Sequence, residues 1–182
     1  MKRSCTVLLA CLVLIIPRIL SAADVPLLER VDLQGNPLTV ASPPAPEPGL
    51  ITGTTAAKPA LILRRTSMPS PKGTFLVCPG GAYHFLALGG EGLYVADFLN
   101  AQGYDAAVLE YTHGGGNAVP ENEVRAKALQ DAVAAVSRLK QSAEKLNLHT
   151  AKLGMAGFSA GGHLTARTVH ELGAASAFSK AS

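Results

Sequence analysis

The sequence is poor in the patterns that build metal sites and nucleic-acid surfaces. None of its 182 residues falls in a CxxC or HxxxH pattern, so we predict no structural metal. The net charge is only +3 and the basic residues form no cluster, so the composition does not indicate binding to nucleic acid. No internal repeat is present, and the length suffices for one modest domain.

Long apolar runs are also missing, apart from one at the N-terminus. Two basic residues precede the apolar run at 7–16, and Arg18 interrupts it. The run is too short to span a bilayer comfortably, so we predict no stable membrane span. Small residues at its end fit a cleavage site, so we predict a signal peptide over 1–23, cut near Ala23, and a secreted or periplasmic protein. A lipoprotein-like string at 8–11 follows too few apolar residues, so lipidation is not expected.

Cysteine is scarce as well. Of the three cysteines, Cys5 and Cys11 lie within the predicted signal peptide, which leaves Cys78 alone in the mature chain. An intrachain disulfide is therefore excluded there, even though export would permit one. Because Cys78 ends an apolar strand, we interpret it as a packing residue and not as a thiol nucleophile.

The pattern along the chain predicts an α/β protein. Residues 24–59 form an extended, proline-containing lead-in without periodicity, and 60–182 alternate between strand and helix patterns. The predicted elements are strands at 61–63, 74–78, 106–109 and 153–156, and helices at 91–102, from Pro120 to Leu146, and at 161–172. The strand at 74–78 is apolar throughout, as in a strand buried on both faces. Short connections between these elements predict a parallel sheet.

Two of the predicted helices carry signals for a buried face or an end. The helix at 91–102 places its apolar side on Val95, Phe98 and Leu99. The helix after the last strand is predicted to close at Gly173, because glycine favours the conformation that follows a helix.

A Gly-x-Ser-x-Gly pattern follows the last predicted strand. Ser159 lies between that strand and a helix, which is the context of a serine-hydrolase nucleophile elbow. Gly157 and Gly161 leave room for a strained turn that would hold the Ser159 hydroxyl clear of the backbone. The alternative is a glycine-rich turn that packs tightly or binds a phosphate at the helix N-terminus.

A second glycine-rich stretch, Pro79-Gly80-Gly81-Ala82-Tyr83, follows the strand at 74–78. Acyl transfer needs backbone N–H groups aimed at the developing oxyanion. We expect Ala160 to supply one such group after the nucleophile, and Gly81 and Ala82 to supply the others. The alternative is an ordinary glycine turn.

The stretch His113-Gly114-Gly115-Gly116 matches a lipase oxyanion motif, HGGG, better than residues 79–82 do. Its place in the chain is wrong, however, because in a sheet of the α/β-hydrolase type the strand before it is not the neighbour of the elbow strand. We therefore predict a flexible loop at 113–117, bordering a substrate cleft. His163 lies on the helix behind Ser159, so we expect it to pack against or bond to the loop of Gly80 and Gly81, not to act as a general base.

With these motifs in order, the chain resembles the secreted α/β-hydrolase esterases of the acetylxylan-esterase and feruloyl-esterase-like group. The similar stretches are CPGGAYHFLA, ADFLNAQGYDAAVLEY, Leu129-Gln130-Asp131-Ala132 and MAGFSAGGHL. The resemblance implies an α/β-hydrolase fold that acts without metal or cofactor. It implies Ser159 as nucleophile, oxyanion donors at Gly81, Ala82 and Ala160, and cleavage of small-molecule or polysaccharide esters, deacetylation included.

The resemblance also implies supporting roles for Glu91 and Asp131, whose alternative is a solvated surface charge. The sequence departs from the family in two places. The third glycine of the oxyanion loop is Ala82, which keeps the N–H and adds a methyl group. The triad acid and base should follow the nucleophile on later strands, but the acidic and imidazole side chains after Ser159 are His163, His170 and Glu171.

These departures lead us to expect the N-terminal part only of the α/β-hydrolase fold, with little or no activity as the chain stands. The elbow strand would then form an open apolar edge, which invites aggregation or pairing with a second chain. The alternative to an esterase is a non-catalytic binding or partner module, or a decayed pseudo-esterase.

Overall fold

A computed structural model of the chain describes residues 29–34, 36–38, 59–114 and 120–181, with the side chains of 175–181 left out. The strands are β1 Glu29–Asp32, β2 Ala60–Arg64, β3 Thr74–Cys78, β4 Asp105–Glu110 and β5 Leu153–Gly157. The helices are α1 Tyr94–Ala101, which a π-helical segment Leu88–Leu93 precedes, α2 Glu121–Gln141 and α3 Ala160–Ala181. The predicted signal peptide at 1–23 and most of the predicted lead-in lie outside the described residues.

The strands form one sheet in the order β1-β2-β4-β3-β5. The core strands are parallel, since β3 pairs with β4 on one side and with β5 on the other in the same direction. The expected parallel sheet is found in β3, β4 and β5, but the predicted strand β2 runs antiparallel to β4, with Ile62 opposite Val108. The connection at 65–73 is short and holds no helix, whereas parallel strands need a longer crossover.

Strand β1 was not among the predicted elements, and its composition explains why. Three of its four residues are charged and only Val31 is buried, so no apolar alternation marks it. It pairs antiparallel with β2 and is held by ion pairs from Arg30 to Glu110 and from Arg65 to Glu29, the latter at 2.7 Å. Its position therefore depends on charges that are distant in sequence.

Helices cover both faces of the sheet and bury two cores. One core lies under α2 and α3 and includes Leu76, Leu109, Ala132, Leu139 and Leu164. The other lies under α1 and is built from Ile62, Val77, Ala96, Ala106 and Val108, with Leu88 from the π-helical segment. As predicted, β3 contributes to both, because alternate side chains of a strand point to opposite faces.

Three predictions about the helices differ from the structure: one buried side chain and two C-terminal ends. Phe98 is 64% exposed, so it is wrong as a member of the buried side of α1, while Val95 and Leu99 pack against the core. Helix α2 ends at Gln141, and Leu146 is buried from the turn that follows. Helix α3 continues through Gly173, whose surroundings are open, so no tertiary contact forces the backbone to turn there.

The sheet order brings the loops after β3 and β5 together at one end of the sheet. Cys78 and Gly157, the last residues of these strands, are paired in register. In the part of the chain that is described, no helix has the length and apolar character needed to cross a membrane.

Candidate active site

Ser159 occupies a strained turn between β5 and α3. Its φ is +48°, in the left-handed region that few side chains adopt, and its side chain is exposed. The turn is closed by the Gly161 N–H donating to the Phe158 carbonyl at 2.7 Å and by the His163 N–H donating to the Ser159 carbonyl at 3.0 Å. Such a conformation costs about 1–3 kcal/mol and persists only where the surroundings fix it.

The two glycines of the motif are required by close backbone packing. A Cβ at Gly157 would meet the Gly161 backbone and lie 2.5 Å from Thr165 Oγ1. A Cβ at Gly161 would overlap the carbonyl oxygens of Cys78 and Pro79, at the end of β3. The start of α3 is therefore pressed directly onto the loop after β3.

The loop after β3 lies beside Ser159. A Cβ at Gly80 would come within 3.0 Å of Ser159 Cβ and within 2.7 Å of the Phe158 carbonyl oxygen. The Gly80 N–H donates to Glu91 Oε2 at 2.8 Å, so the Glu91 carboxylate fixes this loop from the π-helical segment. Glu91 therefore contacts this loop, where a supporting role was predicted for it, and the Gly80 N–H is already hydrogen-bonded.

The predicted oxyanion donors are next to the contact between Gly80 and Ser159: Gly81 and Ala82 follow Gly80 in the chain, and Ala160 follows Ser159. Gly81 has a φ of +134° and Ala82 a φ of +52°, so the loop turns sharply just beyond Gly80. The Gly81 carbonyl accepts from the amides of His84 and Phe85, at 2.9 and 3.1 Å. Within the described chain, the amides of Ala82 and Ala160 donate to no backbone carbonyl. Neither of these N–H groups is therefore taken up by a backbone carbonyl, so both remain available as donors.

Tyr83 continues the strained turn and is buried. Its φ is +63°, which for an aromatic residue is a clear outlier, and 4% of its surface is exposed. Its hydroxyl and His163 Nδ1 share a hydrogen bond of 2.8 Å, and its ring packs edge-on against Tyr111 with centroids 6.0 Å apart. His163 therefore bonds to the loop after β3 through Tyr83, a residue to which the sequence analysis gave no role.

Tyr111, directly after β4, also supports this loop. Its buried hydroxyl donates to the Pro79 carbonyl at 2.6 Å. Burial raises its pKa strongly, so the hydroxyl stays protonated and remains a donor at any ordinary pH. The sequence analysis gave neither tyrosine a role. The available signals were that Tyr83 follows a glycine-rich turn and that Tyr111 lies just after a predicted strand.

In the part of the loop after β4 that is described, His113 and Gly114 contact the loop after β3. The Gly114 N–H donates to the Tyr83 carbonyl at 2.7 Å, and His113 Nδ1 lies 3.3 Å from the His84 carbonyl. Two residues of the loop predicted at 113–117, His113 and Gly114, are thus hydrogen-bonded, and residues 115–117 lie outside the described chain. Asp131 anchors the same loop by accepting from the Thr112 N–H at 2.8 Å.

Cys78 does not contribute a nucleophile. The thiol is fully buried, and burial raises its pKa to about 12, against a smaller opposite effect of Thr165. It is therefore a neutral thiol at physiological pH, in agreement with its interpretation as packing. Among the described side chains, no group of three or more His, Cys, Asp or Glu residues is arranged to hold a metal ion.

The comparisons with known proteins converge on one group. A family model described as BD-FAE matches residues 77–173, which contain both the oxyanion loop and the elbow. An acetylxylan esterase of Xylanibacter ruminicola is 33% identical over 97 residues, which is 53% of this chain and 19% of that protein.

Two solved structures share the fold. A sugar hydrolase from Lactococcus lactis superposes with a TM-score of 0.53 at 23% identity, over 64% of this chain and 45% of that one. The apo form of Thermogutta terrifontis esterase 2 also gives 0.53, at 20% identity, over 70% of this chain and 48% of the other. The chain thus spans a fifth of the acetylxylan esterase and just under half of either structure, and its architecture is that of α/β-hydrolase esterases.

Proposed function

The chain belongs to the BD-FAE family of esterases, and on that premise we propose that it carries the nucleophile and oxyanion half of a serine carboxylesterase site. The observation that supports this most directly is the contact between the two loops. Ser159 stands exposed in a strained elbow, and the Gly80 backbone approaches its Cβ so closely that a side chain there would not fit. An ordinary turn requires neither the strain nor the contact.

The proposed reaction is acyl transfer to Ser159. The Ser159 Oγ attacks the carbonyl carbon of an ester, and the electron pair of the C=O bond moves to the oxygen. The N–H groups of Ala160 and Ala82, with Gly81 beside them, stabilise that oxyanion before the alcohol leaves with a proton. Water then attacks the acyl-serine, which releases the acid and restores the hydroxyl.

For the substrate we propose acetyl or related esters carried on carbohydrate. The support is the likeness to a protein named acetylxylan esterase, at 33% identity over 97 residues. The acyl-transfer chemistry requires no metal or other cofactor. We also propose export, on the strength of the predicted signal peptide at 1–23, which N-terminal sequencing of the protein from culture medium or periplasm would test.

We also propose that the 182-residue chain hydrolyses esters slowly. His163, His170 and Glu171, the imidazole and carboxylate groups after Ser159, all lie on α3, and the His163 ring is bonded to Tyr83. In the described part of the chain, the hydrogen bonds of the histidine rings go to Tyr83, His84 and Asp105, and none goes to Ser159. Oxyanion stabilisation and binding without a base leave a rate only about 10³–10⁴ above that in water.

The test is hydrolysis of p-nitrophenyl acetate by the purified chain, together with intact-mass analysis for an acetyl group on Ser159. Wild type should release p-nitrophenol slowly, and Ser159→Ala should reduce release to the level of an unrelated protein. The matched control is Ser70→Ala, an exposed serine in a bend far along the chain, which should leave release unchanged. Release that is equal in wild type and Ser159→Ala would refute the esterase proposal.

A second candidate is a partner module that pairs with a second copy of this chain through β5. Among the described strands, β5 pairs only with β3, and all five of its residues are partly exposed, whereas four of the five in β3 are buried. A free edge of this kind pairs readily with another strand. Sedimentation equilibrium separates the two: a monomer at all concentrations would contradict the partner module and leave the esterase proposal standing.

A further inference from the structure

We propose that Tyr83 and His163 together act as positioning residues that hold the oxyanion loop against the helix of the nucleophile. This inference rests on the proposed function, since it assigns a purpose to a hydrogen bond within that site. Neither residue touches the reacting atoms in the proposed reaction. Their effect would come through the backbone of Ala82, which immediately precedes Tyr83.

The strain of the loop requires such a restraint. Gly81, Ala82 and Tyr83 have positive φ in succession, and two of them carry side chains. Nothing in the local sequence favours that conformation for alanine and tyrosine, so contacts from elsewhere must impose it. The direction in which the Ala82 N–H points depends on those contacts.

The contacts on Tyr83 come from three other elements. The Gly114 N–H, after β4, donates to its carbonyl at 2.7 Å, and Arg125 of α2 places its guanidinium 5.4 Å from the ring centroid. The third contact is the 2.8 Å hydrogen bond between the Tyr83 hydroxyl and His163 Nδ1. Only this last contact leads to the helix that begins at the nucleophile.

His163 is well placed to transmit position. Its ring lies edge-on to Tyr83 with centroids 5.9 Å apart, and its backbone N–H donates to the Ser159 carbonyl at 3.0 Å. His163 therefore contacts both the backbone of Ser159 and the side chain of Tyr83, which follows Ala82. The pair fixes the two sets of oxyanion donors, Ala160 and Ala82, relative to each other.

The test measures the loop directly and the reaction separately. Hydrogen exchange of the His84, Phe85 and Gly114 amides reports on the loop, because each donates to a carbonyl within it or at Tyr83. Tyr83→Phe and His163→Ala should each speed this exchange about twofold to tenfold, as expected for loss of one net hydrogen bond. The double variant should exchange no faster than the faster single variant, because both changes remove the same bond.

The reaction should respond in a specific way if the wild type releases p-nitrophenol through Ser159. Both variants should lower the acetylation rate by up to about a hundredfold at unchanged KM, because misplaced oxyanion donors weaken only the transition state. His163→Gln, which retains a hydrogen-bonding side chain of similar reach, should recover part of the loss. Tyr94→Phe and His170→Ala remove the same groups at exposed positions and should change nothing.

If the two single changes have additive effects on exchange, or no effect on it, the inference is wrong. A rate of p-nitrophenol release that depends on Ser159 would in that case still support the esterase proposal. Conversely, coupled effects on exchange without any Ser159-dependent release would uphold the positioning pair and refute the esterase proposal. His163 is exposed, so His163→Ala spares the core and decides the question even if Tyr83→Phe fails to fold.

Discussion

Two glycine-rich loops, one after β3 and one after β4, differ in what their sequence suggests and in what their position allows. Residues 113–116 carry the better match to a lipase oxyanion motif, whereas residues 79–82 carry the poorer one. Yet Gly80 contacts Ser159, and the described part of the other loop contacts Tyr83 and His84 instead. Because β3 lies between β4 and β5, the loop after β3 starts beside the elbow, whereas the loop after β4 starts one strand further away. The order of the strands, and not the match to a motif, determines which loop begins beside Ser159.

The difference also shows how the two loops are related. The loop after β4 supports the loop after β3, through the Gly114 amide, and Tyr111 supports it from the end of β4. Changes within 79–83 should therefore act on the site itself. Changes in the loop after β4 should act mainly on stability, and with smaller effects.

The largest effect is expected from Gly81→Ala. Its φ of +134° disfavours any side chain, and a Cβ there would overlap the Phe85 carbonyl. We expect a loss of about 3 kcal/mol or more in unfolding free energy, measured by urea denaturation. Gly90→Ala is the control, because a Cβ at Gly90 meets nothing within 4 Å. Equal effects of the two changes would remove the distinction between a required and a tolerated glycine.

Tyr111→Phe should have the next largest effect. The change leaves the buried Pro79 carbonyl without the 2.6 Å hydrogen bond that it accepts from Tyr111. We expect a loss of about 1–3 kcal/mol in unfolding free energy. Tyr94→Phe, at a tyrosine that is 49% exposed, should cost almost nothing in the same denaturation experiment. A stability equal to wild type would show that Pro79 finds another donor.

Asp131→Asn should change how stability depends on pH. Burial raises the pKa of the Asp131 carboxyl, while the hydrogen bonds from Thr112 and the charge of Lys127 oppose the shift. The unfolded chain, with the lower pKa, releases its proton first, so this group's contribution to stability declines as pH rises from the unfolded pKa through the raised folded pKa.

The measurement for Asp131 is the difference in unfolding free energy between Asp131→Asn and wild type over a pH series. Asparagine can still accept from the Thr112 N–H, and it has no charge to desolvate. The variant should therefore gain stability relative to wild type as pH rises through the carboxyl range toward neutral. A difference that stays constant, or that moves the other way, would contradict the assigned cause of the shift.

The smallest effect is expected from His113→Ala. Its contact with the His84 carbonyl is long, at 3.3 Å, and the ring is only half-buried. We expect Ser159-dependent release of p-nitrophenol to change by less than about twofold. A loss as large as that of Ser159→Ala would mean that the loop after β4 takes part in the site after all.

Much of the fold follows from local sequence patterns. The apolar run at 74–78, the acids after Pro120 and the strand-turn-helix context of Ser159 each gave the right element, because burial and helix ends leave local signatures. Strand β1 and the exposure of Phe98 escaped prediction. Strand β1 makes ion pairs with Arg65 and Glu110, which are distant in sequence. The exposure of Phe98 depends on which side of α1 faces the sheet.

The candidate site divides in the same way. The sequence predicted the strained turn at Ser159, the two glycines that flank it and the glycine-rich loop beside it, because strained turns and close backbone approach require particular residue types. The resemblance implied the supporting position of Glu91, and the catalytic roles stay predictions. Only the tertiary structure brought Tyr83 to His163 and Tyr111 to Pro79, since these pairs lie 80 and 32 residues apart. A hydrogen bond between distant residues depends on how strands are ordered in the sheet, and no local pattern encodes that order.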